Sequence, residues 1–432
     1  MKALSPSRTL VLILMSMLCV VVPVRSFGNS PEPPVLSEEA YLVLVLEHNE
    51  DLGAFRKEVE AKLYALQADL APQRPSLGIT ADVSRWLDQE RGDRYADLAL
   101  TQRIDLGGRY PLQEKDLLLG LRVMESRYAN AVNDTLAKGI AAYRQTVMAK
   151  HIWDMRTEVL EHRQQSLEVT REKFTKELVP LLDLLRAQSQ VDEGEAFLLQ
   201  ARQSYEQNLI EMRALAGQRV VLPCMDIPTS PPEHLPAHFE GAWEQRPDVR
   251  TLSLLREQAS VQHALAARGL APFVDISLGW RLGEDYRSPY AEDHQGELLA
   301  RAVLSIPLGD GGKTRNNTQA AALLAEKIDR ELQAKRDTVE KEIALVRERW
   351  SRGLELEQVR RRQMQRSAQE VEIAEMLYRE GLASQLDLLS AQERDQQSRA
   401  DHLATIQELW LTLAEADRVM GRYRGSFSGF RE

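Results

Sequence analysis

Few residues of this chain are spaced for chemistry, and most of those fail on inspection. Gly311-Gly312-Lys313-Thr314 ends like a phosphate-binding loop, in which backbone N–H groups cradle phosphates and a lysine reaches the outer one. Such a loop needs another glycine five positions before its second one, and Pro307 stands there. His234 and His238 are four apart, the spacing of two metal ligands on one helix face. Pro231, Pro232 and Pro236 deny that stretch a helix. Two cysteines, Cys19 and Cys224, are too few for a disulfide framework or a Cys-rich zinc site. No Ser-His-acid set or carboxylate pair stands out by spacing. The sequence therefore predicts no enzyme, no cofactor and no metal site.

Two carboxylates remain because they occur in a segment written twice. Phe174 to Gln188 reads FTKELVPLLDLLRAQ, and Tyr378 to Gln392 reads YREGLASQLDLLSAQ. Asp183 thus recurs as Asp387, 204 positions later, with Leu182, Leu184, Leu185, Ala187 and Gln188 recurring around it. The same displacement carries Gly107-Gly108-Arg109 onto Gly311-Gly312-Lys313 and Gly217 onto Gly421. A constant displacement over more than a hundred residues means that neither copy has accepted an insertion, as continuous helices would not. Leu70-Ala71-Pro72 and Leu270-Ala271-Pro272 repeat as well, 200 apart.

The elements that must hold these residues follow from periodicity. Leu121, Met124, Tyr128, Val132, Leu136, Ile140, Tyr143 and Val147 succeed one another at intervals of three or four, the seam of a packed coiled-coil-like helix. Each copy reads as a short helix (38–71; 241–271), two extended segments, a Gly-Gly-basic turn, a long helix (110–178; 313–381) and a return helix (181–216; 385–421). Short and return helices together match the long one, so they are expected to stack end to end beside it. The two copies span 27–217 and 241–421, joined by a Pro-rich linker (218–240) and followed by a tail (422–432). The predicted class is mainly α with a small β part.

The extended segments alternate. Leu77, Ile79, Ala81 and Val83, then Ala96, Leu98 and Leu100, put apolar side chains on one face. So do Val274, Ile276, Leu278 and Trp280, then Leu298, Ala300, Ala302, Leu304 and Ile306. A period of two with one apolar face suits a strand with lipid or core on one side and water on the other, and about 9 to 11 residues cross a bilayer as tilted strand. Asp88 to Arg94 and Gly283 to Gln295 read as the loops between them. Four strands leave two open edges, whereas the smallest membrane barrels need about eight, so strands that span a membrane require several chains to share one barrel, and three would give twelve strands; the alternative is a soluble four-stranded sheet capping a helical bundle.

Composition sets limits on all this. The 432 residues carry 55 basic and 65 acidic side chains, a net charge of -10, which argues against a nucleic-acid partner. Only 25 residues are aromatic, as expected of long helices. Residues 1 to 26 read as a secretory signal, the alternative being a retained membrane anchor: Lys2 and Arg8, then the uncharged run Leu10 to Val24, then Arg25-Ser26. Its removal would leave Cys224 as the one cysteine.

On the duplicated Leu182 to Gln188 and Leu386 to Gln392, the two Leu-Ala-Pro segments and the Gly-Gly-basic turns, the chain resembles the TolC family of outer-membrane channels. That resemblance implies a homotrimer with a twelve-stranded β-barrel in the lipid of the outer membrane of a Gram-negative bacterium, continued by a tunnel of twelve helices across the periplasm. It implies docking of the helical tips, Lys176, Glu177 and Leu178 in one copy and Glu380, Gly381 and Leu382 in the other, on a periplasmic adaptor and an inner-membrane pump. It also implies a constriction at the tips carried by Asp387, with Asp183 added by the repeat. A second family aspartate falls on Ser390, with Arg186 at the matching place three positions after Asp183, where a helix lets them pair. Glu177 also departs from its counterpart, the turn glycine Gly381. Gly107, Gly108, Gly311 and Gly312 read as strand-to-helix connectors. The Ile104 to Arg109 turn is similar to the heavy-metal efflux branch of the family. The competing reading is a periplasmic coiled-coil adaptor or scaffold without a pore, which would have no use for strands of membrane-crossing length.

Overall fold

A computed structural model describes residues 36–83, 94–217, 230–232, 235, 246–284 and 296–424. Two helices, α1 (Glu38–His48) and α2 (Glu50–Leu70), lead into strands β1 (Ser76–Val83) and β2 (Arg94–Asp105). Then come α3 (Arg109–Thr175) and α4 (Leu181–Leu215). The second copy runs α5 (Pro247–Ala267), β3 (Phe273–Glu284), β4 (Glu297–Ser305), α6 (Lys313–Arg379) and α7 (Gln385–Val419). The signal segment, Cys19, Cys224, His234, His238 and most of the 218–240 linker lie outside the described residues.

The helix lengths repeat without error. α3 and α6 each have 67 residues, about 100 Å at 1.5 Å per residue, and α4 and α7 each have 35. All four boundaries of the first copy map onto the second by the same 204 positions. Both return helices end at a glycine with positive φ, Gly217 (63°) and Gly421 (66°).

The expected short helix 38–71 is interrupted. Asn49 takes an extended backbone, and its side chain accepts from the Leu52 N–H (3.0 Å), so it caps α2; its Nδ2 donates to the Leu215 carbonyl (3.1 Å) at the end of α4. One side chain thus starts a helix and ties it to the return helix below. Gly217 lies so close that a Cβ there would stand 2.9 Å from the His48 carbonyl oxygen. The short and return helices do abut along α3, as the matching lengths require.

The strands also shift slightly. β2 already includes Arg94, and β3 runs through Gly283 to Glu284, residues that the sequence assigned to loops, while β4 stops one residue before Ile306. The four form one antiparallel sheet in the order β1-β2-β3-β4, with Leu98 level with Trp280 and Thr101 level with both Ser76 and Ser277. No described helix is long and apolar enough to cross a membrane.

Of two cores, one sits where the copies meet and one lies within the second copy. Tyr41, Val45, Leu136, Ile140, Tyr143, Val147 and Met212 join α1, α3 and α4, with Ala414 of α7 and Tyr423 added from the far copy. Higher up the expected seam of α3, Leu121, Met124, Tyr128 and Val132 are only half-buried, and Leu119 and Val123 take the inner places, because α5 also packs on α3 there. Val249, Leu332, Val339, Ile343, Val346, Val419 and Met420 join α5, α6 and α7.

An ion cluster locks the second core. Buried Arg246 donates to Asp248 through Nε (3.0 Å) and Nη2 (2.7 Å), to Glu342 (2.7 Å) and to the Val419 carbonyl (3.2 Å). Burial alone would raise the Asp248 carboxyl, but hydrogen bonds and charge from Arg246 and from Lys335 at 2.8 Å outweigh it and hold it at about 2. Its folded value lies below the unfolded one of about 4, so its stabilisation is present above that pH and is lost as pH falls through about 2. Asp248→Asn is expected to cost about 2–3 kcal/mol at neutral pH and to flatten the acid limb of stability, as read by thermal melts between roughly pH 6 and 2.

Candidate functional site

At the far end from the sheet, each long helix stops in the same turn. The Glu177 N–H donates to the Phe174 carbonyl (2.9 Å) and the Leu178 N–H to Lys173 (2.9 Å). In the second copy Gly381 donates to Tyr378 (3.2 Å) and Leu382 to Leu377 (2.8 Å). These paired bonds satisfy the last carbonyls of a helix and require a left-handed residue between them. Gly381 supplies it at φ 73°; Glu177 is forced into it at φ 58°, alone among the described non-glycine residues. The turn leaves Leu178 and Leu382 projecting, 69% and 76% exposed. Lys176, which caps α3, stands 4.0 Å from Glu172, and Glu380 caps α6. All six predicted tip residues therefore fall in two matching turns, tied across the copies by Lys173 Nζ, 3.9 Å from the Tyr378 ring centroid.

Asp183 and Asp387 occupy the same place, the third residue of a return helix, but bond differently. Ser384 precedes α7, and its hydroxyl accepts from the Asp387 N–H (3.2 Å). The Asp387 carboxylate in turn accepts from the Ser384 hydroxyl (2.6 Å) and N–H (3.1 Å). This reciprocal cap holds the carboxyl below its usual range, chiefly through the hydroxyl and then the backbone N–H. In α4 the capping position is Pro180, which has no hydroxyl, so Asp183 is left for Arg186 at 3.5 Å. Ser390 is half-buried on α7, its carbonyl accepting from Arg394 (3.1 Å).

The repeated leucines also part company. Leu388 and Leu389 are buried, whereas Leu184 is half-buried and Leu185 exposed, because α7 packs against both α6 and α3 while α4 packs mainly against α3. Between α6 and α7 the buried seam is polar. Ser367 donates to Asp395 (2.9 Å) and lies 2.5 Å from the Ser398 hydroxyl, and Glu357 accepts from Arg361 (2.8 Å) with His402 Nε2 at 3.1 Å. Sequence reading missed this seam, since serine and charged residues at heptad spacing look like a solvated face.

At the other end, Gly107 and Gly108, like Gly311 and Gly312, turn strand into helix as expected. Gly108 and Gly312 are left-handed, and a Cβ on Gly107 would collide with Ala271. What completes the turns is an aspartate that was not singled out. Asp105 accepts the N–H groups of Gly107 (3.1 Å), Arg109 and Tyr110 (3.1 Å); Asp310 accepts those of Gly312 (3.1 Å) and Thr314 (2.7 Å). An aspartate a few residues before a helix, spaced to meet its unpaired N–H groups, was the available signal.

The sheet has two chemically distinct faces. Leu77, Ile79, Leu98, Leu100, Ile276, Leu278, Trp280, Leu298 and Leu304 share one, all exposed. The other carries Thr101 and Ser277 between two cross-strand ion pairs, Arg103 with Asp275 (2.7 and 3.1 Å) and Arg281 with Asp97 (2.7 and 2.9 Å). Both pairs join β2 to β3 and so join copy to copy. A hollow of about 1090 Å³ lies where this polar face meets the helices, lined by Arg74, Thr101, Arg103, Arg109, Asp116 and Asp275. Among the described residues no His, Cys, Asp and Glu cluster is placed to hold a metal ion.

An apolar sheet face at one end of paired long helices defines a membrane channel class. The chain matches the family described as outer membrane efflux protein over residues 41–218 and 240–418, and it belongs to that family. Its fold is that of known outer-membrane channels. With CusC the TM-score is 0.79 at 16% identity, covering 91% of this chain and 95% of that one. CmeC of Campylobacter jejuni gives 0.79 at 16% over 89% and 85%, and VceC of Vibrio cholerae 0.75 at 18% over 89% and 96%. No curated protein matches the sequence. The protein is thus an outer-membrane component of efflux pumps, a passive conduit and not an enzyme; nothing supports the adaptor alternative.

The tip turns generate a paired expectation. Glu177→Gly should stabilise the first turn by about 1 kcal/mol and Gly381→Ala should destabilise the second by at least that, read as opposite changes in hydrogen-exchange protection of the neighbouring amides.

Proposed function

We propose that three copies of this chain build one exit duct, in which residues 27–217 and 241–421 act as two structural repeats around a mid-height linker. Four strands from each chain close a twelve-stranded barrel whose apolar face meets outer-membrane lipid. Below it α3, α4, α6 and α7 of each chain make a twelve-helix tunnel that places most of the polypeptide in the periplasm. The observation that carries this reading is the sheet. The described strands place their apolar residues on one exposed face, and β1 and β4 end the sheet with unpaired backbone that lipid cannot tolerate. Fractionation with light scattering in mild detergent tests it: the mature protein is expected in the outer membrane as a trimer, and a soluble periplasmic monomer would sink the proposal.

The tips are the working end. Leu178 and Leu382, held out by rigid turns and flanked by Lys176, Glu177, Glu380 and Gly381, form the docking surface for a periplasmic adaptor, which links the duct to an inner-membrane pump. Asp387 and Asp183, repeated by threefold symmetry, form a carboxylate constriction that favours cations. Arg186 neutralises Asp183 and Ser390 adds no charge, so Asp387 carries most of the field, and its serine cap keeps it ionised. Asp387→Ala is expected to raise single-channel conductance or weaken cation preference in a planar bilayer; no change in either would remove its gate role.

A further inference from the structure

Each chain leaves one helix face open on either side of its lower half. There α4 rests on α3 and α6 rests on α7, so α4 and α6 are the outer members of the group. On α4 the inward face is Ala187, Gly194, Ala201, Tyr205 and Met212; on α6 it is Glu357 and Ser367. Two residues from Ala187, Gly194, Ala201 and Glu357, about 200° around each helix, run the open stripes. They are Leu185, Asp192, Leu199 and Glu206 on α4, and Ile373, Arg366, Val359 and Arg352 on α6, all exposed. A closed ring of twelve helices needs each to meet its two neighbours about 150° apart, close to this separation.

Both stripes step by seven, and both alternate apolar with charged. The two charges of the α4 stripe are acidic and the two of the α6 stripe basic. Their heights follow from contacts within one chain. Lys173 beneath Tyr378 sets α3 and α6 level at the 204 displacement, and Arg163 meeting Glu193 (3.2 Å) fixes the height of α4 against α3. Residue 193 of α4 is therefore level with residue 367 of α6. On that scale Leu185 stands two residues, about 3 Å, from level with Ile373, and the same small step separates Asp192 from Arg366, Leu199 from Val359 and Glu206 from Arg352, nearer than any register one heptad away.

We infer that α6 of one copy and α4 of a second copy zip together in this antiparallel register, two apolar pairs alternating with two ion pairs. The inference rests on the trimeric reading above and supplies its helical seam. The alternation also specifies the register: a slip of one heptad sets every apolar side chain of one stripe against a charge on the other. Arg352 and Glu206 have only partners one turn away on their own helices, Glu348 and Arg202, which they can keep or exchange at the seam. Because the contact joins two different faces, repeating it about the threefold axis of the trimer closes a ring.

Disulfide trapping in outer membranes tests the register, in a Cys224→Ser background. Val359→Cys with Leu199→Cys is expected to oxidise to covalent dimers and trimers, and Val359→Cys with Asp192→Cys, one heptad out, to give neither. Arg366→Asp is expected to lower the temperature at which the trimer dissociates, and adding Asp192→Arg to restore it. A trimer by light scattering that links through the control pair, or not at all, and shows no charge restoration would overturn the zipper and leave the trimer standing. A monomer in the unaltered protein would overturn the trimeric reading itself.

Discussion

Unpaired backbone at a sheet edge cannot be left in hydrocarbon, where each missing hydrogen bond costs several kcal/mol. One chain provides four strands with β1 and β4 at the edges, far fewer than any membrane barrel needs. The apolar face makes water unsuitable and the edges make lipid unsuitable, so the sheet is complete only when shared. Everything else in the chain serves to present this sheet, and its copies, in a fixed geometry.

Fixed geometry comes from equal lengths. Matching helices of 67 and 35 residues let the two repeats stand side by side with their strands and tips level. The joints are rigid because each is a short motif with its polar groups satisfied. Asp105 and Asp310 collect the free N–H groups where strand becomes helix, and paired carbonyl bonds close the tips. Where the strands of the two copies meet, bidentate arginine–aspartate pairs bind β2 to β3 on the polar side and leave the apolar side to leucine and tryptophan.

The copies are alike in sequence and unlike in surroundings. α7 lies between α3 and α6, so its Leu389 is buried; α4 has an open flank, so its Leu185 is exposed. The polar seam of Ser367, Asp395 and Ser398 between α6 and α7 has no equivalent made from the first copy's residues, where Arg163 instead reaches Gln190 and Glu193. Such a seam exchanges burial energy for a defined partner and register. It also marks the α6–α7 hairpin as chemically distinct from the α3–α4 hairpin.

Element types and turns were legible in the sequence because periods of 3.6 and 2 and glycine pairs act over a few residues, and the long and return helices were seen to match because one displacement of 204 relates the two copies. The tip and turn residues were legible for the same reason. Local pattern could not give what depends on distant chain. The break at Asn49 exists because the Leu215 carbonyl, 166 residues away, accepts from its side chain. The inner face of upper α3 moved to Leu119 and Val123 because α5 arrives there. The strand ends extended because β2 and β3 pair across the copies. Asp183 and Asp387, identical in the repeat, were assigned different partners by a proline and a serine one turn earlier. Burial of their neighbouring leucines was assigned by which helices flank them, and flanking is a property of the assembled fold alone.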